Sequence, residues 1–137
     1  MVGAESLTVT ADTNILVRLM VEDDAEQAAA GRRILLSASR VVITLTTLCE
    51  YVWVLRGTYG LSNFEIARGI EELQQTATVQ VDRAAVAAGL RMLRAGGDFP
   101  DGLISQEGRL LGGETFISFD RKAVKLLQAQ GFKAQFP

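Results

Sequence analysis

The sequence contains no histidine. That absence excludes imidazole-based nucleases, Ser–His–Asp hydrolases and most zinc sites. Any chemistry must come from carboxylates, hydroxyls, Lys or Arg, and bound metal. Cysteine is represented only by Cys49, so an intramolecular disulfide cannot form. A lone Cys in an apolar run is by default a small core residue, and nothing else argues for an oxidising compartment. No basic residue precedes Arg18, whereas Glu5 and Asp12 do, so the N-terminus does not read as a signal peptide. The most apolar stretch, VVITLTTLCEYVWVL, is interrupted by Glu50 and falls short of the ~20 residues that span a bilayer. A global basic field is also missing, since the formal net charge is −2 over 137 residues. A nucleic-acid partner would therefore need a local basic patch or bridging metal ions. The chain reads as a soluble, cytoplasmic protein.

What is present is ordinary globular composition: 48% apolar and 22% charged residues, enough for one domain with a real core. Neither repeats, low-complexity tracts nor linkers break the chain, so residues 1–137 read as a single domain. Only Met1 to Ser6 looks like a loose leader. The pattern alternates strands and helices. Strands are expected at 7–11, 41–44, 78–81 and 115–118, with KAQF adding a short fifth. Helices are expected at 13–20, after Asp23 and Asp24, after a cap at Thr46 or Thr47, after the Ser62–Glu65 capping box, at 83–94, after the GGDFPD turn, and at 121–129. This alternation implies an α/β fold with a mostly parallel sheet, covered on both faces. Ligands in such folds bind beyond the carboxyl ends of the strands.

Acids from four segments fall at strand-to-helix junctions or in early helix turns. Asp12 follows the first strand, and Glu50 lies in the early turns of the helix after the second. Asp98 and Asp101 flank Pro100 at a helix start, and Asp120 follows the fourth strand. Taken singly, Asp12, Asp101 and Asp120 are plausible helix N-caps, and Asp98 is a turn residue. Glu50 is harder to dismiss, being the only charge in TTLCEYVWVL, although an exposed stripe beside Thr46 and Thr47 would also accommodate it. Jointly, two carboxylates ~6 Å apart repel by about 3 kcal/mol at an effective dielectric near 20. A cluster therefore calls for a cation among the acids, or for protonation of some. Oxygen ligands without His or Cys point to Mg²⁺ or Mn²⁺. Such an ion at the mouth of an α/β sheet suits phosphate-ester chemistry.

The segments ADTNILVRLMVEDDAEQ, TTLCEYVWVLRGTYGLS, GGDFPDGLIS and FISFDRKA, in this order and spacing, resemble a PIN-domain protein of the VapC toxin type. The resemblance covers nearly the whole chain. It implies a three-layer α/β/α sandwich with a mostly parallel central sheet. It implies Mg²⁺- or Mn²⁺-dependent cleavage of RNA to 5′-phosphate and 3′-hydroxyl ends, usually by a homodimer. VapC-type members are the toxins of type II toxin–antitoxin systems and are silenced by a cognate antitoxin protein. Carried over by position, Asp12, Glu50, Asp101 and Asp120 match the family's catalytic, metal-binding acids, and Asp98 matches an extra acid of many members. Thr13, Asn14 and Ser118 match polar residues beside the acids, where they would orient carboxylates or water. Capping or turn roles would suit them equally. After Asp101 the family usually reads DALIAA, whereas this chain has DGLISQE. Gly102 costs up to about 1 kcal/mol of helix propensity, which puts local rigidity in doubt.

For RNA contact, Arg18, Arg121 and Lys122 lie nearest the acids in sequence, with Arg91, Arg94 and Arg109 further off. Trp53, Tyr59 and Phe64 are expected in the core by default. Any that are exposed would suit an antitoxin groove or a dimer interface. Two other functions stay open at this point. One is a catalytically weak PIN scaffold that binds RNA or protein. The other is a phosphoacceptor receiver domain, which fits poorly because Asp23 and Asp24 lie beyond the first helix.

Overall fold

The structure of the protein, a computed structural model, describes residues 7–137. The leader Met1 to Ser6 lies outside the described residues. Contacts between Cα atoms gather into two compact units, the first running to Asp82 and the second covering Arg83–Pro137. All strand pairs in both are parallel.

The first unit holds β1 (Thr8–Thr10), α1 (Thr13–Val21), α2 (Ala25–Ser37), β2 (Arg40–Val42), α3 (Leu45–Gly57), α4 (Asn63–Gln75) and β3 (Val79–Gln80). Its sheet has the order β1-β2-β3, with Val9 opposite Val41 and Val41 opposite Val79. The strands are shorter than the β-branched runs that announce them, yet their hydrogen bonding continues past their ends. The Ala11 N–H donates to the Val42 carbonyl at 2.9 Å, and Ile43 N–H to the Gln80 carbonyl at 3.0 Å. Ala11 and Ile43 are both buried. The chain thus leaves adjacent parallel strands at the same end and enters α1 and α3 there.

The helix starts are explicit. Asp24 caps α2 by accepting from Gln27 N–H at 3.0 Å. Ser62 and Glu65 form the expected capping box. The cap of α3 differs from expectation: Thr44, not Thr46 or Thr47, has the extended backbone and accepts from Thr47 N–H. Thr46 and Thr47 are helical already and fall in the first turn. The unit buries Leu16, Val17, Val41, Leu48, Tyr51, Val52, Leu55, Ile66 and Ile70. At Gly69 a Cβ would come within 2.9 Å of the Tyr51 hydroxyl, so the missing side chain lets α4 close onto that ring. Burial first, and then the charge of Glu72, pushes the Tyr51 phenol up to about 12.

The second unit holds α5 (Arg83–Arg94), α6 (Phe99–Leu110), β4 (Phe116–Ile117), α7 (Arg121–Ala129) and β5 (Ala134–Gln135). Helices α5 and α6 pack tightly. Phe99 is wholly buried and lies where a Cβ on Gly89 would sit 2.6 Å from its ring. Gly102 is buried, and a Cβ there would collide with the Ala88 carbonyl oxygen. The doubt about local rigidity at Gly102 is thereby reversed: its propensity cost accompanies a close helix–helix contact. Strands β4 and β5 pair with Phe116 opposite Ala134, α7 connecting them. Met92, Val124, Leu127 and Ala134 form one core cluster of this unit, with Phe116, Leu126, Phe132 and Phe136 packed against it.

Candidate metal centre

Three of the expected acids meet in the second unit. Asp98, Asp101 and Asp120 each offer a carboxylate oxygen, all within 4.8 Å of one another. The sequence supplies them from two segments, GGDFPD and FISFD. Asp98 occupies the N-cap position of α6, with no capping hydrogen bond from its side chain. Asp101 is the third helical residue, not a cap, and its N–H donates to the Asp98 carbonyl at 3.2 Å. Pro100 suits this first turn, where an N–H would lack a helical partner. Asp120 follows β4 and does cap α7, one oxygen accepting from Ala123 N–H at 3.1 Å. The Ser118 hydroxyl accepts from Asp120 N–H at 3.0 Å and fixes the backbone that carries the acid.

The electrostatics mark the cluster. Asp101 is half-buried while Asp98 and Asp120 are exposed. Burial, and then the charges of Asp120 and Asp98, raise the Asp101 carboxyl above the ordinary carboxylate range. Each of these causes opposes a negative charge, and a divalent cation would relieve them together. Three convergent hard oxygens with no nitrogen or sulfur donor fit Mg²⁺ or Mn²⁺ chemistry.

A family model for the PIN domain matches residues 9–126, a span that runs through both units. The chain belongs to the PIN domain family. Its fold is α/β and PIN-like, with parallel strand pairing. PIN domains are generally nucleases and typically bind divalent metals. A search of the curated proteins gives no match.

The other two expected acids, Asp12 and Glu50, lie in the first unit. Asp12 is exposed and holds the N-cap position of α1, again without a capping hydrogen bond from its carboxylate. Capping, the commoner use of such an Asp, is thus not its use here. Thr13 is buried, and its hydroxyl donates to Glu50 Oε1 at 2.9 Å. That bond joins the starts of α1 and α3 and holds one face of the Glu50 carboxylate. Glu50 itself is exposed, as the stripe alternative allowed. Asn14 is exposed and lines a groove of about 420 Å³ between α1 and α2.

The basic candidates are less free than their sequence positions suggest. Arg18 is bound up in a network, its Nε donating to Gln27 at 2.8 Å and one terminal nitrogen facing Asp23 at 3.3 Å. The same nitrogen donates to the Tyr59 hydroxyl, which in turn donates to Asp23 at 2.7 Å. Arg121 lies over the Phe136 ring at 4.5 Å. Lys122 is exposed, its ammonium 3.9 Å from where a Cβ on Gly96 would stand, beside the turn that leads to Asp98. The Arg18–Tyr59 contact links residues far apart in the chain, and no motif or spacing announces it. Trp53 and Phe64, expected in the core, are 77% and 73% exposed. Their helices bury other faces, through Tyr51, Val52 and Leu55 on α3 and Ile66 and Ile70 on α4.

Proposed function

We propose that this PIN domain is a Mg²⁺- or Mn²⁺-dependent endoribonuclease, the toxin component of a type II toxin–antitoxin system of the VapC kind. The observation that carries the reading is the Asp98–Asp101–Asp120 cluster, three carboxylates gathered in a family of nucleases. We assign metal binding to Asp101 and Asp120, together with Asp12 and Glu50, and Asp98 as an additional ligand. When bound, the ion supplies an activated water and neutralises the phosphate under attack. The protein's own groups prepare that chemistry. Asp120 is held by Ser118 and by its cap on α7, so its second oxygen has a fixed direction. Thr13 orients Glu50. Lys122, Arg121 and Arg18 are the cations assigned to the RNA backbone, with affinity falling as salt rises.

The toxin role draws its support from the four family segments and from the exposed Trp53 and Phe64. Large apolar side chains in water suit a partner surface, for an antitoxin or a second copy in a homodimer. Among the described residues no helix is long and apolar enough to cross a membrane. We place the protein in the cytoplasm as one PIN-like domain over residues 1–137.

The test is direct. Purified protein with Mn²⁺ or Mg²⁺ cuts single-stranded RNA, EDTA stops it, and Asp12→Asn loses at least ~100-fold. An Asp12→Asn protein that cuts as fast as wild type sinks the assignment, and metal-independent binding without turnover favours the scaffold reading.

A further inference from the structure

The acid cluster does not exhaust the second unit. A concavity of about 230 Å³ lies between the C-terminal half of α6, the loop before β4, and the start of β5. Ile104, Phe116 and Ile117 give it an apolar wall, and Arg109, Lys133 and Glu114 are its charged lining. Cations outnumber the acid there, in a protein whose overall charge is negative.

Arg109 is held rigid in this setting. Its guanidinium donates to the Ser105 hydroxyl at 2.7 Å and to Gln106 Oε1 at 2.9 Å. It also stacks over the Phe132 ring, 3.9 Å from its centre. Ser105 is itself buried. A fork with five N–H groups keeps donors to spare after two such bonds, and their direction is already set. Binding an anion there would cost little side-chain entropy.

The position along α6 gives the pocket a meaning. Asp101 and Ser105 are four residues apart, so they share one side of the helix, with roughly 6 Å of rise between them. Arg109 reaches back along the helix to Ser105, in the direction long helical side chains favour. Arg109 itself lies eight residues, roughly 12 Å of rise, beyond Asp101, and its guanidinium reaches back to the turn between them. The apolar wall of Ile104, Phe116 and Ile117 borders it.

We infer that this concavity is a subsite for single-stranded RNA, holding a nucleotide further along the strand from the one cut: Arg109 and Lys133 take its phosphate, and the wall of Ile104, Phe116 and Ile117 takes its base. The inference rests on the nuclease reading for its place relative to the cut nucleotide. A flat base against an apolar wall, with the backbone held by fixed cations, is a sequence-tolerant mode of single-strand recognition.

The experiment reads binding separately from cutting. The affinity of a fluorescent octanucleotide RNA is measured by anisotropy in EDTA at several salt concentrations. Three proteins are compared: wild type, the Arg109→Met/Lys133→Met double variant, and Ile104→Trp, which fills the pocket without changing charge. The double variant is expected to bind five- to tenfold more weakly, with a salt slope lower by about one to two. Ile104→Trp is expected to weaken binding with the slope unchanged. Wild-type affinity and slope in both variants overturn the subsite. So does a loss of AMP binding with octanucleotide affinity intact, which marks a free nucleotide as the occupant. Unchanged RNA affinity with an altered mass in light scattering also overturns it, in favour of a protein interface. Mn²⁺-dependent cleavage by the wild type is scored in parallel. Weakened binding in the variants without cleavage by the wild type retires the nuclease reading and leaves the RNA site standing. Cleavage with unchanged binding does the reverse.

Discussion

The raised carboxyl of Asp101 has consequences for stability as well as chemistry. In the metal-free protein its pKa lies above that of the unfolded chain, because of burial and of Asp120 and Asp98. The folded state therefore keeps a proton that the unfolded chain has lost. Stability from this group is greatest below the ordinary carboxylate value and falls as pH climbs above it. In EDTA, Asp101→Asn should melt higher than wild type at pH 7, with the gap closing toward pH 4. A gap that is constant, or reversed, would falsify the electrostatic account of the cluster. Thr13 makes a second residue-scale case. Thr13→Val keeps the shape of a buried side chain but removes the hydroxyl that Glu50 accepts from. Cleavage is expected to fall about tenfold or more, while the melting temperature moves by no more than ~1 kcal/mol of stability allows. Equal losses of activity and stability would assign Thr13 to the fold alone. These roles were only partly legible in sequence. The acids stood out because they fall after strands or in early helix turns. The exposure of Glu50 did not, since apolar neighbours on a helix say little about which face a residue occupies.

Elements were read more accurately than their ends. The helix at 83–94 and the one at 121–129 appear with the expected limits, because their apolar spacing is regular and Asp120 caps the second. The SNFE box was legible for the same reason, and Ser62→Ala should cost about 1 kcal/mol, seen as a lower denaturant midpoint at constant slope. The cap of α3 moved to Thr44 because three threonines follow Ile43 within four positions, and only the backbone decides which one turns. Strands were overextended. Two or three residues carry each ladder, while β-branched neighbours continue the pattern into the loops. Gly102 is the sharpest conflict between propensity and packing. Helix propensity predicts that Gly102→Ala gains up to ~1 kcal/mol, whereas its contact with the Ala88 carbonyl predicts a loss of about 1–3 kcal/mol. Urea unfolding decides between them, and a loss is expected. A gain would show that α5 and α6 can separate at no cost.

At the scale of the whole molecule, a net charge of −2 sets the terms for RNA. Attraction must be local, from single cations and from bound metal, so binding should weaken steeply when divalent ions are removed and again as salt rises. The exposed Trp53 and Phe64 belong to this scale too, since large aromatics in water ask for a partner. Trp53→Glu is expected to leave unfolding stability within ~0.5 kcal/mol and to reduce the mass seen by light scattering or the capture of an antitoxin. If both assemblies survive the change, that surface is not the interface. The family was legible from four ordered segments, but the faces that its helices present to solvent were not. Amphipathic spacing cannot separate a core aromatic from an exposed one.

The central claim is that the Asp98–Asp101–Asp120 cluster holds a divalent ion. Calorimetric titration of Mn²⁺ into wild type and Asp101→Asn, both metal-free at pH 7, tests it most directly. Wild type should bind Mn²⁺ and melt higher with it, and Asp101→Asn should bind at least ~10-fold more weakly and lose that rise. Equal Mn²⁺ affinity in the two proteins, or no binding by wild type, would contradict the claim.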